Sequence, residues 1–177
     1  MQITYNFQNW AGAGCQERTN SGLSIFGLQL VEKLNDTNML IDCSHANMQT
    51  MADTIRASKV PIIVSHTGCL AVHTNRRNTT DENIKLLADN GGVVGIDQIR
   101  PHITTLREGA LAHYLDHIQH AVNVGGIDHV GIGSDRDHRY IDLTPEYLDE
   151  LRAEQGANLN EDDLPWFMVE LNGPRRM

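Results

Sequence analysis

LIDCSHANMQTMADTIRASKVPIIVSH, from Leu40 to His66, contains one phrase twice: a short apolar run that stops at Ser-His. The first run starts at Met39 as MLIDCSH and the second is PIIVSH; each reads as a buried strand. Between them Met48, Met51, Ala52 and Ile55 recur at helical spacing, and Lys59-Val60-Pro61 ends the helix because proline cannot continue it. A helix joining two strands is a crossover that lays them side by side and parallel. Both histidines then emerge at the carboxyl end of the sheet.

The same alternation extends in both directions. Leu23, Phe26, Leu30, Val31 and Leu34 form a helical stripe upstream. Downstream, Thr79 and Glu82 have capping-box spacing before a helix through Ile84 and Leu87, which Gly91 or Gly92 can close. GGVVGID is a further buried strand. Thr105 and Glu108 repeat the capping-box spacing, and Leu111, Tyr114, Leu115, Ile118 and Val122 mark a long helix that Gly125-Gly126 ends. HVGIGSD follows, another apolar run closed by a polar residue, Asp135. With ITYN at the start there are five strands, and the acidic stretch from Glu154 to Asp163 reads as a loop. Such alternation predicts a parallel sheet covered by helices, within one domain over residues 1–177. An open five-stranded sheet and a piece of an eight-stranded barrel both fit.

In either architecture, binding and catalytic groups gather at the carboxyl ends of the strands. His45, His66 and Asp135 all fall there. Two imidazoles aimed into one mouth suit zinc and its neighbours, and a nearby carboxylate can bind the ion or carry a proton. Arg76-Arg77-Asn78 follows the second strand histidine, where a guanidinium can grip a substrate carboxylate or simply face solvent. His113, His117 and His120 share one outer helix and read as surface or locally paired residues, since no Glu beside His113 makes an HExxH motif. His73, His102, His129 and His138 belong to loops or a strand start. The glycines of GGVVG precede their strand and do not make a phosphate loop.

Composition narrows the classes of partner. The chain has 177 residues, 40% hydrophobic and 21% charged, which describes an ordinary globular domain. A formal charge of −9 argues against nucleic acid and anionic membrane surfaces. No stretch approaches a membrane span, and MQITYNFQNW lacks the form of a signal peptide, so a cytoplasmic setting is the default, although the parent protein could be exported on an upstream signal. Cys15, Cys43 and Cys69 have no CxxC spacing and read as reduced, buried thiols.

The phrases ITYNFQN, GLSIFG, MLIDCSH, PIIVSH, RRN, GGVVG and DHVGIGSD, in this order, resemble the membrane dipeptidase (renal dipeptidase) family of zinc metallopeptidases. His45 and His66 are 21 positions apart (66 minus 45), like that family's two strand-end metal histidines. The resemblance implies a (β/α)8 barrel with two zinc ions per complete site that hydrolyses dipeptides. It implies that His45 and His66 ligate one zinc, that Arg77 binds the substrate carboxylate, and that Asp135 shuttles a proton to the leaving amine. Tyr5, where mammalian members carry a histidine, would bind substrate.

That resemblance covers about strands four to eight of the barrel. The family's His-x-Asp pair and bridging Glu have no counterpart in this chain, so one zinc at most is expected from it alone. LNGPRRM resembles the start of the family's last helical region, and SDRDH departs from the common SDFDG at Arg136 and His138. A partial barrel exposes strand edges, which predicts self-association or a complementing barrel half. Three functions follow: a dipeptidase polypeptide incomplete or inactive in isolation, another amidohydrolase-type metal hydrolase, or a non-catalytic half-barrel that binds or assembles.

Overall fold

The computed structural model of the protein describes residues 1–136, 144–155, 160, 164 and 168. Five parallel tracks of chain lie side by side in sequence order. The last three are regular strands, β1 (Ile63–Thr67), β2 (Val93–Asp97) and β3 (Val130–Ser134), in the order β1-β2-β3. The first two pair through single parallel bridges, Gln2 to Asp42 and Asp42 to Ile63. Ladder bonds such as Cys43 N–H to Ile63 O (2.9 Å) and Ile63 N–H to Ile41 O (3.0 Å) carry the pattern across. ITYN and MLIDCSH thus occupy strand tracks, but their ladders are short; the second turns away at His45, whose φ is +66°.

Helices α1 (Ile25–Asp36), α2 (Met48–Ala57), α3 (Asp81–Asp89) and α5 (Ala110–Gly125) alternate with these tracks, and α6 (Pro145–Gln155) follows β3. A doubly wound open sheet reverses its strand order at a switch point. Among the described residues the order does not reverse, as in the wall of a (β/α)8 barrel. The core lies between this wall and the helices: Ile41, Cys43, Ile62, Val64, Val94 and Ile96 meet Val31, Leu34, Met51, Ile55, Ile84 and Leu87. On the other face the strands approach so closely that a Cβ on Gly133 would lie 2.4 Å from Ser65 O and 2.8 Å from Gly95. Only glycine fits there.

Several expected details differ. Thr80, not Thr79, caps α3, its hydroxyl accepting from Asn83 N–H, because Thr79 is taken up in a bridge to Cys69. No side chain caps α5; Gly109, left-handed at φ +73°, opens it in place of Thr105. Its buried stripe is Ala110, Tyr114, His117 and Ala121, so Leu115 is 55% exposed and His117 is fully buried rather than on the surface. Phe26 in the α1 stripe is likewise half exposed. A four-residue helix, α4 (Arg100–Ile103), carries His102, which sequence reading left in a loop. Glu154 and Gln155 finish α6 instead of beginning a loop. Asp137, His138, most of the segment after Gln155 and LNGPRRM lie outside the described residues.

Candidate metal centre

Two bulges aim the site. On β1, Val64 pairs with Val94 and Thr67 with Ile96, so three steps of β1 oppose two of β2. The extra residue breaks the alternation and swings His66 toward the mouth. On β3, Ile132 pairs with Ile96 but Ser134 with Asp97, a second bulge just before Asp135. Ser134 (φ +49°), Asp135 (φ +56°) and His45 (φ +66°) all hold left-handed backbone, costly for non-glycine residues, and all three sit at carboxyl ends of strand tracks.

The five side chains expected in the site come together. The rings of His45 and His66 meet edge to face at 5.1 Å between centroids, and Tyr5 stacks on His45 at 4.2 Å. His66 Nε2 lies 3.7 Å from Asp135 Oδ1. Arg77, 7% exposed, donates from Nη2 to His66 O at 3.5 Å. Tyr5 is 66% exposed and forms the outer lip. Arg76 instead faces outward and donates to Gln16 O.

Each histidine is held from behind by Nδ1. For His45 the partner is Asn6 Oδ1 at 2.8 Å, an acceptor, so Nδ1 carries the proton. For His66 it is Ser65 Oγ at 2.8 Å; that hydroxyl donates its own proton to Asp42 Oδ2 at 2.6 Å and so must accept from the ring. Asp42 also accepts from Ser44 N–H and Ser65 N–H. Burial would raise its carboxyl, but these hydrogen bonds outweigh it and hold Asp42 below the usual carboxylate range. Both rings therefore present Nε2 as a bare acceptor, and His66 Nε2 is buried without a hydrogen-bond partner. Burial, with Arg77 and His66 adding positive charge, pushes His45 down to about 3; burial likewise lowers His66. Neutral rings with a locked tautomer are the form that ligates metal. Burial raises the Asp135 carboxyl, against the opposing pull of His66.

The two imidazoles have the donor chemistry that a metal ion takes. Among the described residues, no group of three or more His, Cys, Asp or Glu side chains converges as a metal cage. Sequence reading missed the residues that set the rings. Asp42 was visible as an acid inside a buried apolar run and Asp97 as the acid that closes GGVVGID, and an acid in such a buried place is rarely tolerated without a bonding duty. Asp97 is fully buried and accepts from His102 Nδ1 at 2.8 Å. Asn6 carried no such signal.

Comparison with known proteins bears on the family and the fold. The family model for membrane dipeptidases (peptidase family M19) matches residues 1–153. The dipeptidase verJ of Clonostachys rogersoniana is 37% identical over 132 residues, which is 75% of this chain and 33% of that protein. An amidohydrolase from Pseudomonas aeruginosa superposes with a TM-score of 0.75 at 29% identity, covering 94% of this chain and 48% of that one. A metallopeptidase described as dipeptidase AC gives 0.63 at 27% identity, over 84% and 45%. The chain thus spans a third of the verJ protein and about half of the solved chains, and its wall of strands is part of a (β/α)8 barrel. It belongs to the membrane dipeptidase family of metallopeptidases, peptidase family M19.

Proposed function

We propose that this chain supplies the carboxyl-terminal part of a zinc dipeptidase site. The observation that carries this reading is the pair of strand-end imidazoles, each pinned through Nδ1 and each offering Nε2 to the same mouth. His45 and His66 would hold one zinc, and a zinc ion bound there would supply Lewis-acid polarisation of the scissile carbonyl and a hydroxide nucleophile near neutral pH. Arg77, anchored beside His66, pairs its guanidinium with the free carboxylate of the dipeptide, which fixes the peptide bond relative to the rings. Asp135, close to His66 and only partly shielded, passes a proton to the amine as it leaves. Tyr5 closes the outer side of His45 and contacts substrate through its exposed ring and hydroxyl.

The second zinc of a complete family site needs donors beyond those described, which connects catalysis with assembly. Among the described residues β3 pairs with β2 alone, and Ile132 on it is 71% exposed. An open edge with bare apolar side chains is a surface made to be covered. We infer pairing with a second copy or with a complementing barrel half. No helix among the described residues is long and apolar enough to cross a membrane.

The deciding experiment is zinc content per chain together with hydrolysis of L-alanyl-D-alanine, with and without added zinc. One zinc that disappears in His45→Ala and in His66→Ala supports the site. Turnover that disappears in Arg77→Ala supports a dipeptidase over an ester or lactam hydrolase. A chain that binds no zinc and stays monomeric removes the catalytic reading.

A further inference from the structure

Every carbonyl of the short helix α4 has a partner, and three of the four partners are side chains from other elements. Arg100 O accepts from Thr104 N–H at 2.8 Å, the one helical bond. Pro101 O accepts from Asn75 Nδ2 at 2.9 Å, His102 O from Asn78 Nδ2 at 2.7 Å, and Ile103 O from His117 Nε2 at 3.1 Å. Asn75 and Asn78 bracket the Arg76-Arg77 pair. Asn75 Oδ1 also accepts from Arg77 N–H at 2.9 Å, and Thr67 Oγ1 donates to Arg77 O at 2.8 Å. His117 closes the frame by accepting from Cys69 N–H at 2.8 Å through Nδ1. Thr67 and Arg77 join the loop to β1, and α4 is joined to β2 through Asp97, at the carboxyl end of that strand, which accepts from His102 Nδ1 at 2.8 Å and from Ile99 N–H at 3.2 Å.

We propose that α4, tied to β2 through the Asp97–His102 pair, is the positioning element that holds Arg77 for recognition of the substrate carboxylate. Asp97 and His102 do not touch substrate in this scheme; they fix α4, and α4 fixes the two asparagines that set the Arg77 backbone. A loop of this kind is ordinarily mobile, whereas a guanidinium must stand in one place to form a forked pair with a carboxylate. Asn78 is fully buried and its amide spans two carbonyls, His73 O and His102 O, so the loop cannot shift without breaking both bonds. The inference rests on the reading of Arg77 as the carboxylate-binding residue.

The test compares two probes on the zinc-loaded full chain by calorimetry: a phosphinate mimic of L-alanyl-D-alanine, and the same compound with its carboxylate converted to the amide. Wild type favours the carboxylate form by about tenfold or more, the worth of one charge-assisted pair. Arg77→Ala loses that preference. His102→Ala and Asn75→Ala lose most of it too, whereas His102→Asn, whose amide N–H can replace Nδ1–H, regains it. A merely structural role would weaken both probes equally and leave the ratio intact. If Arg77→Ala loses the preference while His102→Ala and Asn75→Ala keep it, the positioning role is overturned and Arg77 stands. If wild type shows no preference, or Arg77→Ala keeps it, the carboxylate reading of Arg77 falls and this inference falls with it. Should His102→Ala fail to fold, Asn75→Ala, at a partly exposed position, decides between these outcomes.

Discussion

The strand-end mouth and the seam between α5 and the loop after β1 both bury histidine, and they use its two nitrogens differently. In the mouth, His45 and His66 each give Nδ1 to a protein acceptor and leave Nε2 open. In the seam, His117 uses both: Nδ1 accepts from Cys69 N–H and Nε2–H donates to Ile103 O. The first arrangement is incomplete without something that accepts a lone pair, and the second is complete in itself. Burial alone does not tell a ligand from a core residue. The count of satisfied ring nitrogens does.

The largest expected effects would break that contrast in both directions. His45→Ala or His66→Ala removes half of a two-imidazole site, so bound zinc falls to near zero with little change in the melting temperature of the metal-free chain. His117→Ala does the reverse. It leaves a buried N–H and a buried C=O without partners, each costing about 1–3 kcal/mol, and lowers Tm by roughly 5–15 °C while zinc binding persists. Zinc analysis and thermal unfolding on the three variants check both halves. Equal loss of zinc in all three would mean that His117 belongs to the site after all.

A smaller effect sharpens the difference between the two mouth histidines. His66 is backed by a charge, Asp42, through Ser65, whereas His45 is backed by the neutral amide of Asn6. Removing an outer-shell partner typically weakens metal affinity ~10–100-fold. Asp42→Asn lies toward the upper end of that range, because the carboxylate also organises Ser44 N–H and Ser65 N–H around the ring. Asn6→Ala lies toward the lower end. Zinc titration against a competing chelator measures both, and the reverse order would assign the stronger support to Asn6.

Much of this was visible in the sequence where a signal repeats and faint where geometry intervenes. The twin Ser-His phrases located the mouth because strand ends of a parallel wall converge, whatever the local details. The bulges at Val64–Thr67 and Ile96–Asp97 left no trace in composition, although they aim His66 and Asp135. The α5 stripe misled for a physical reason. Large apolar residues drew the reading to Leu111 and Leu115, but the helix packs close to the sheet through small Ala110 and Ala121, with His117 between them held by two hydrogen bonds. The order of tracks, which decided barrel wall over open sheet, is a property of pairing that periodicity does not encode.

Acid should expose the seam as well. Burial lowers the His117 pKa, while the unfolded chain keeps the ordinary value near 6.5. Above that value both states are neutral and no pH dependence arises. As pH falls below about 6.5 the unfolded chain binds a proton that the folded chain refuses, so stability drops until the lowered folded value is reached. The slope from this one group is at most about 1.4 kcal/mol per pH unit. Wild type between pH 7 and 5 should lose more stability than His117→Gln, and the gap between their curves isolates this group from His45 and His66, which shift in the same direction. Parallel curves would place the acid sensitivity in the mouth alone.

The smallest effect belongs to His113, one turn before His117 on α5. It faces outward, and its Nδ1 lies 3.8 Å from Asp116 Oδ2 with both side chains exposed to water. An exposed pair of this kind contributes little, because solvent screens it and two side chains must be ordered to form it. His113→Ala should therefore change stability by no more than about 0.5 kcal/mol and leave zinc content untouched. A helix that turned its Leu111–Leu115 side to the sheet would carry both His113 and His117 to the solvent side and make both substitutions cheap. The pair of measurements, His117→Ala against His113→Ala, thus reads the rotation of α5 directly: a large loss for the first and almost none for the second holds only if Ala110, Tyr114, His117 and Ala121 form the packed face.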